Sequence, residues 1–247
     1  MNRATVICLV EGQSENLFVE RLLAPHLSGQ HGVDLKVPIV TTRTDHRSGQ
    51  RHKGGGHTFQ HYVTDLKNHF FQYKRQKNAW FTTLVDVYGL PEDFPQKEKG
   101  FAITDPRERV KFLEQALTEK MRQEVGDEFP THFIPHLMLH ELETLLFVNI
   151  DRLCLIFPDK QKEIEAIKHD VRSFGDDVEL INQTREGAPS KRIAKWLRSY
   201  GKYKASGAGG MVGVLERIGL MNLREACPHF GAWLTRLEQL GNKGDDT

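Results

Sequence analysis

No stretch of this 247-residue chain approaches the roughly 20 consecutive apolar residues that a membrane-spanning helix needs. Cysteine is also scarce: Cys8, Cys154 and Cys227 stand alone. Without a Cys-x-x-Cys pair, neither a disulfide framework nor a thiolate zinc site is indicated, which suits a reducing cytoplasm. An excess of either charge is missing as well, with 34 Lys and Arg against 33 Asp and Glu for a formal charge of +1. A nucleic-acid ligand would therefore have to use a local basic patch. Residues 1–10 carry one Arg and a short apolar run that leads straight into Glu11-Gly12, without the small-residue cleavage site of a secretory leader. Internal repeats and low-complexity linkers are not seen. What is present is a folded-protein composition, 38% hydrophobic and 27% charged, long enough for one domain with a sizeable appendage.

Residues 4–10 form an apolar run rich in β-branched side chains, the pattern of a strand covered on both faces. Ser14 is placed to cap a helix whose apolar stripe is Leu17, Phe18, Leu22 and Leu23. Further strands are expected over 35–41, 80–85 and 132–139, and helices over 59–74 and 106–124. Strands alternating with helices predict an α/β fold with a mainly parallel sheet, whose ligands gather outside the carboxyl ends of the strands. Beyond about residue 149 the strand signals stop. The expected organisation is an α/β core over 1–148 and a helical region, 149–247, packed on it, with Trp196, Phe230, Trp233 and Leu234 as its core.

Acids stand where those strands end. Glu11 closes the first, Glu15 follows in the first helical turn, Asp86 closes the run 80–85, and His140-Glu141-Leu142-Glu143 follows the last strand. Carboxylates converging on one sheet edge suit Mg²⁺ or Mn²⁺, which neutralise phosphate charge and activate water. Simpler roles exist for several of them. Glu15 and Glu143 also suit the positive end of a helix, and Asp86 suits the turn before Tyr88-Gly89-Leu90-Pro91. Glu11, between Val10 and Gly12 at the mouth of a buried strand, is desolvated unless something pairs with it. Mg²⁺ sites seldom use imidazole, so His140 reads as structural, as do His132 and His136.

Two segments could meet phosphates. Residues 47–56 combine Arg47, Arg51, His52 and Lys53 with Gly54, Gly55 and Gly56, but not in Walker A order; a solvated flexible loop is the alternative. In Ala188-Pro189-Ser190-Lys191-Arg192, Pro189 suits a first helical turn, and Ser190, Lys191 and Arg192 would form an anion clamp at a helix start, or simply a basic exposed face. Lys202-Tyr203-Lys204 adds charge beside an aromatic ring, an unspecific single-strand signal.

The opening Val10-Glu11-Gly12-Gln13-Ser14-Glu15 resembles the Glu-Gly motif of Toprim domains, with a spacing to Glu15 most like that of the overcoming-lysogenization-defect nucleases. More closely, the whole chain resembles an uncharacterised bacterial Toprim-like family, the domain of unknown function numbered forty-two seventy-six. The matching segments are Val10 to Glu15, Lys53-Gly54-Gly55-Gly56, Leu84-Val85-Asp86-Val87-Tyr88-Gly89-Leu90-Pro91, His140-Glu141-Leu142-Glu143-Thr144-Leu145-Leu146-Phe147, Ala188-Pro189-Ser190-Lys191-Arg192-Ile193 and Cys227-Pro228-His229-Phe230. The resemblance implies a Toprim-like core, metal-dependent phosphodiester chemistry and, for a phage-defence effector, an AAA or ABC-type ATPase partner. One residue departs from the Toprim pattern: Tyr88 stands where the second Asp of Asp-x-Asp belongs.

The expectation is thus a Mg²⁺- or Mn²⁺-dependent nuclease acting on DNA or RNA. Its catalytic residues would be Glu11, Asp86, Glu141 and Lys191, and its metal ligands Glu11, Glu15, Asp86, Glu141 and Glu143. Phosphates would be held by Arg51, Lys53, Gly54, Gly55, Ser190, Lys191 and Arg192. The alternative is a non-catalytic nucleic-acid-binding or sensor subunit of an ATPase complex.

Overall fold

The structure, a computed structural model, describes residues 3–44, 51–53, 58–172, 174–175, 177–181, 187–204 and 209–241, with backbone alone for 41–44 and 51–53. Its strands are β1 (Ala4–Val10), β2 (Val33–Lys36), β3 (Thr41–Thr44), β4 (Arg51–Lys53), β5 (Ala79–Asp86), β6 (Phe133–Ile134) and β7 (Leu137–Met138). The main sheet runs β2-β1-β5-β6, with β7 also on β5, and every one of these pairs is parallel. β3 and β4 form a separate antiparallel pair.

The helices cover both faces. After β1 the chain enters α1 (Gln13–Phe18), which continues through a π turn at Val19–Leu23 into α2 (Ala24–Gln30). Next come α3 (Phe59–Tyr73), α4 (Lys97–Phe101) and α5 (Pro106–Val125), then α6 (Gln161–Arg172), α7 (Pro189–Trp196), α8 (Met211–Ile218), α9 (Leu220–Ala226) and α10 (Pro228–Glu238). From β1, Ala4, Val6, Cys8 and Val10 pack with Phe18 and Leu23, and with Leu215, Phe230 and Trp233 of the carboxyl-terminal helices. Ile7 and Leu9 point the other way, into a layer built with Val63 and Leu66 of α3 and Val110 and Leu113 of α5. Both faces of β1 are therefore dry, which is why its sequence is almost continuously apolar. Two polar contacts fix the helical layer. The Trp233 indole donates to Thr82 Oγ1 at 2.9 Å, and buried Glu179 accepts the amides of His229 and Phe230 in the first turn of α10, at 2.8 and 3.0 Å. Among the described residues no helix is long and apolar enough to cross a membrane.

The α/β class with a mainly parallel sheet is as the sequence indicates, but local details differ. The expected strand 132–139 is two short pieces, because Pro135 brings no N–H to the ladder. Thr83 compensates, its hydroxyl donating to the His136 carbonyl and accepting from the His136 amide, both at 2.9 Å. Gly12 in extended backbone, rather than Ser14, occupies the cap position of α1, and the Ser14 hydroxyl donates instead to the Lys204 carbonyl at 3.3 Å. Trp196 is not core: it keeps 39% of its surface exposed, whereas Trp233, Phe230 and Leu234 are buried.

Glu114 on α5 accepts the Leu137 amide at 2.9 Å, and burial pushes its pKa up to about 7. The unfolded chain releases that proton near the ordinary carboxylate value, while the folded chain holds it until about 7. Stability is therefore complete below about pH 4.5 and falls as pH rises through 7. Glu114→Gln, which keeps an acceptor for Leu137, is expected to leave stability at pH 4.5 unchanged and to raise it at pH 8 by up to about 3 kcal/mol. Urea denaturation at the two pH values measures both.

Candidate metal centre

Parallel pairing aligns the carboxyl ends of β1 and β5: Val10 is in register with Leu84, so Glu11 and Asp86 leave neighbouring strands at the same edge of the sheet. Glu15 rises from the first turn of α1, and Glu141 and Glu143 come from the turn that follows β7. These five acids, with Gly12, Gln13, Ser14, Leu142 and Lys204, line one cleft of about 220 Å³. A larger concavity of about 480 Å³ lies between α5, Pro135 and Arg236, but there two acids face three bases. In the cleft five carboxylates face one ammonium.

That imbalance shows in the ionisation of the group. Burial, followed by the charge of Glu15, pushes Glu11 up to about 7, although the Asp86 amide donates to it and Lys204 opposes the rise. Asp86 is driven well above the ordinary carboxylate range by burial and then by Glu11 and Glu141, against the pull of the Tyr88 amide, which donates to it at 2.8 Å. Glu15 and Glu143 are raised, first by burial. Lys204 Nζ lies 2.9 Å from Glu143 Oε1, yet among the described residues neither buried Glu143 oxygen makes a hydrogen bond of ordinary geometry. Burial disfavours the Lys204 ammonium, but Glu143, Glu141 and Glu15 outweigh it and lift its pKa above the usual lysine value.

Each carboxylate is positioned by its own local device. Glu141 is gripped by the start of α7, where the Ser190 amide and hydroxyl each donate to it at 2.8 Å. Asp86 caps the short turn Val87–Gly89. Glu11 rests against Gly89, where a Cβ would stand 2.8 Å from one carboxylate oxygen and 3.0 Å from the other. Buried Tyr62 of α3 and Tyr200 lie near enough to these acids for the carboxylates to reinforce burial in keeping both phenols protonated. His140 stacks on Tyr88 with ring centroids 5.3 Å apart, and burial drops its pKa to about 4, so the imidazole is neutral. The Tyr88 hydroxyl accepts from Arg109 of α5 at 3.1 Å, and its ring packs on Phe101 of α4.

All five sequence-derived acids thus line the same cleft. Ser190 is there as the anchor of Glu141. Lys191 is exposed in the first turn of α7, while Arg192 bonds the Gly187 carbonyl at 2.7 Å and Asp170 at 3.0 Å, tying α7 to α6. Gly54 and Gly55 lie outside the described residues, as does Arg47; of Arg51 and Lys53 only the backbone in β4 is described. Tyr62 and Tyr200 are not visible from sequence, Gly89 reads there only as a turn residue, and Lys204, which reads with Lys202 and Tyr203 as an unspecific single-strand signal, lines the cleft. Among the described residues, two triads of potential ligand atoms lie within 4.8 Å of one another, and both are outside the cleft: His26, His31 and Glu238, and Glu114, His136 and His229. In the first, Arg224 already pairs with Glu238 at 2.9 Å; in the second, His136 is stacked between Trp233 and His229. No three of the cleft acids bring ligand atoms within that distance of one another.

Residues 10–238 match the family described as Domain of unknown function (DUF4276). The chain belongs to this family. No curated protein and no solved structure matches the chain. The matched span covers all five acids of the cleft, with Ser190 and Lys204.

Because Glu11 is held among like charges, Glu11→Gln is expected to raise stability in divalent-free buffer by roughly 1–2 kcal/mol, or about 2–8 °C in Tm. Scanning calorimetry in EDTA checks this; a loss of Tm would mean that the carboxylate is satisfied by partners a neutral amide cannot replace.

Proposed function

We propose that the chain is a divalent-metal-dependent nuclease of Toprim-like design, working as a defence effector with an ATPase partner. The observation that carries the reading is the cleft of five acids at the carboxyl ends of parallel strands, where burial raises the pKa values of Glu11, Glu15, Asp86 and Glu143 and, among the described residues, one ammonium compensates them. Hard oxygen donors in excess negative charge fit Mg²⁺ or Mn²⁺. Glu11, Asp86 and Glu141 would hold the ion, with Glu15 and Glu143 in support; when bound, it supplies neutralisation of phosphate charge and activation of water for in-line attack.

The chain's own groups have separable tasks. Ser190 fixes Glu141, and Gly89 leaves the space Glu11 occupies. Lys204 is the cation nearest the acids and can turn from Glu143 to a phosphate oxygen once another charge occupies the cleft. Lys191 would contact the backbone of the nucleic acid. His140, neutral and stacked, orients the turn carrying Glu141 and takes no proton at neutral pH.

Lys204 also favours a second reading. An ammonium 2.9 Å from Glu143 stands in part for a metal, and Tyr88 supplies no carboxylate, which suits a binding subunit of an ATPase complex.

Titration calorimetry with Mn²⁺ separates the two. The nuclease reading expects saturable binding to the wild type, at least a tenfold loss in Glu11→Gln and in Asp86→Asn, and DNA or RNA cleavage that EDTA abolishes. Gly89→Ala, which crowds Glu11 without removing any ligand, should weaken Mn²⁺ while preserving the fold. No Mn²⁺ binding, or cleavage that persists in EDTA, would leave the binding subunit as the function.

A further inference from the structure

Residues 187–204 contain six Lys or Arg and no acid, in a chain whose formal charge is only +1. Both ends of this segment are fastened to the acidic cleft. Ser190 bonds Glu141 at 2.8 Å, and Lys204 lies 2.9 Å from Glu143. The segment between these two anchors carries further exposed side chains. Those side chains include Lys195, Trp196 and Arg198.

The aromatic rings here are unusual for their exposure. Trp196 at the end of α7 and Phe174 just after α6 each keep 39% of their surface accessible; among the described residues Phe71 of α3, away from this segment, is the other strongly exposed ring. Both carry a cation: Arg192 lies over the Phe174 ring at 4.4 Å and Lys195 over the Trp196 ring at 5.2 Å. Arg192 and Trp196 are four residues apart, on one face of the helix, so Phe174, Arg192 and Trp196 form one strip. Tyr203 does not belong to it, because it packs edge-on against Phe157 with centroids 5.0 Å apart. From Ser190 to Trp196 the helix advances roughly 9 Å, about the length of two or three stacked nucleotides.

We infer that this strip is a platform for single-stranded nucleic acid, with bases stacking on Trp196 and Phe174 and backbone phosphates on Lys195, Arg198 and Lys202, leading the strand to the acidic cleft. A duplex hides its base faces, so exposed rings beside cations select unpaired strands. Charge supports the direction of the strand: the cleft repels phosphates and the strip attracts them, so binding begins on the strip. The platform deepens the nuclease reading, on which its service to the cleft depends, but binding to it needs no metal.

The test is fluorescence anisotropy in EDTA with labelled oligo(dT), oligo(U) and a duplex of equal length, across a salt series. Single strands are expected to bind more tightly than the duplex, and the dT and U arms tell DNA from RNA. Trp196→Ala should weaken single-strand binding roughly five- to a hundredfold with the salt slope unchanged, and Trp196→Phe should restore most of it. Lys195→Gln with Arg198→Gln should instead flatten the slope by about 0.7 per lost contact. All these side chains are exposed, so the variants should fold. Equal affinity for duplex and single strand, or Trp196→Ala binding as the wild type does, overturns the platform even if Mn²⁺-dependent cleavage is found. Conversely, single-strand affinity that follows Trp196 without cleavage under any divalent ion upholds the platform and removes the nuclease.

Discussion

Five carboxylates in one cleft, with a single lysine beside them among the described residues, are costly to hold, and much of the surrounding structure is arranged to hold them. An isolated buried carboxylate is strongly disfavoured and answers by taking up a proton. Glu11, Glu15, Asp86 and Glu143 all respond in that direction. Their positions come from rigid elements that do not depend on the charges: the β1 and β5 pair, whose six-residue register sits between two dry layers, and the start of α7 against Glu141. Hydrophobic burial keeps the strands aligned, and the strand ends bring the acids together against their own repulsion.

This division explains which parts could be read from sequence. Apolar runs that end in an acid are local signals, so β1 with Glu11 and β5 with Asp86 were legible, as was the helix over α5, whose Asp105 cap accepts the Arg107 and Glu108 amides. The positioning groups were not. Ser190 lies 49 residues from Glu141, and nothing in Ala-Pro-Ser-Lys-Arg says whether the helix start faces a substrate anion or a carboxylate of its own chain. Gly89 looked like a turn residue because its turn is local, whereas its contact with Glu11 needs the neighbouring strand. Trp196 was read as core from its residue type alone; only the packing of α7, which buries Ile193 and Leu197, shows that Trp196 is turned outward.

The departure at Tyr88 has a similar resolution. A carboxylate at that position would have to replace a ring that packs on Phe101 and meets Arg109, and Arg109 in turn bonds the Ile103 carbonyl through two nitrogens at 2.9 and 3.2 Å. Tyr88 therefore belongs to the anchoring of the loop that carries Gly89. Glu141 and Glu143 reach the cleft from the turn after β7, so its charge does not depend on one strand.

Opposite charges are separated along this face rather than mixed. Acids gather at the strand ends and cations along residues 187–204; Ser190, neutral, meets Glu141, and among the described residues that line the cleft Lys204 is the one positive charge. Had more cations been interleaved with the five acids, the carboxylates would be paired and their pKa values would fall. Segregation leaves the carboxylates of the cleft largely uncompensated. The ligand proposed above, a phosphodiester with its divalent counterion, is an anion that arrives with a cation and so matches both signs of charge.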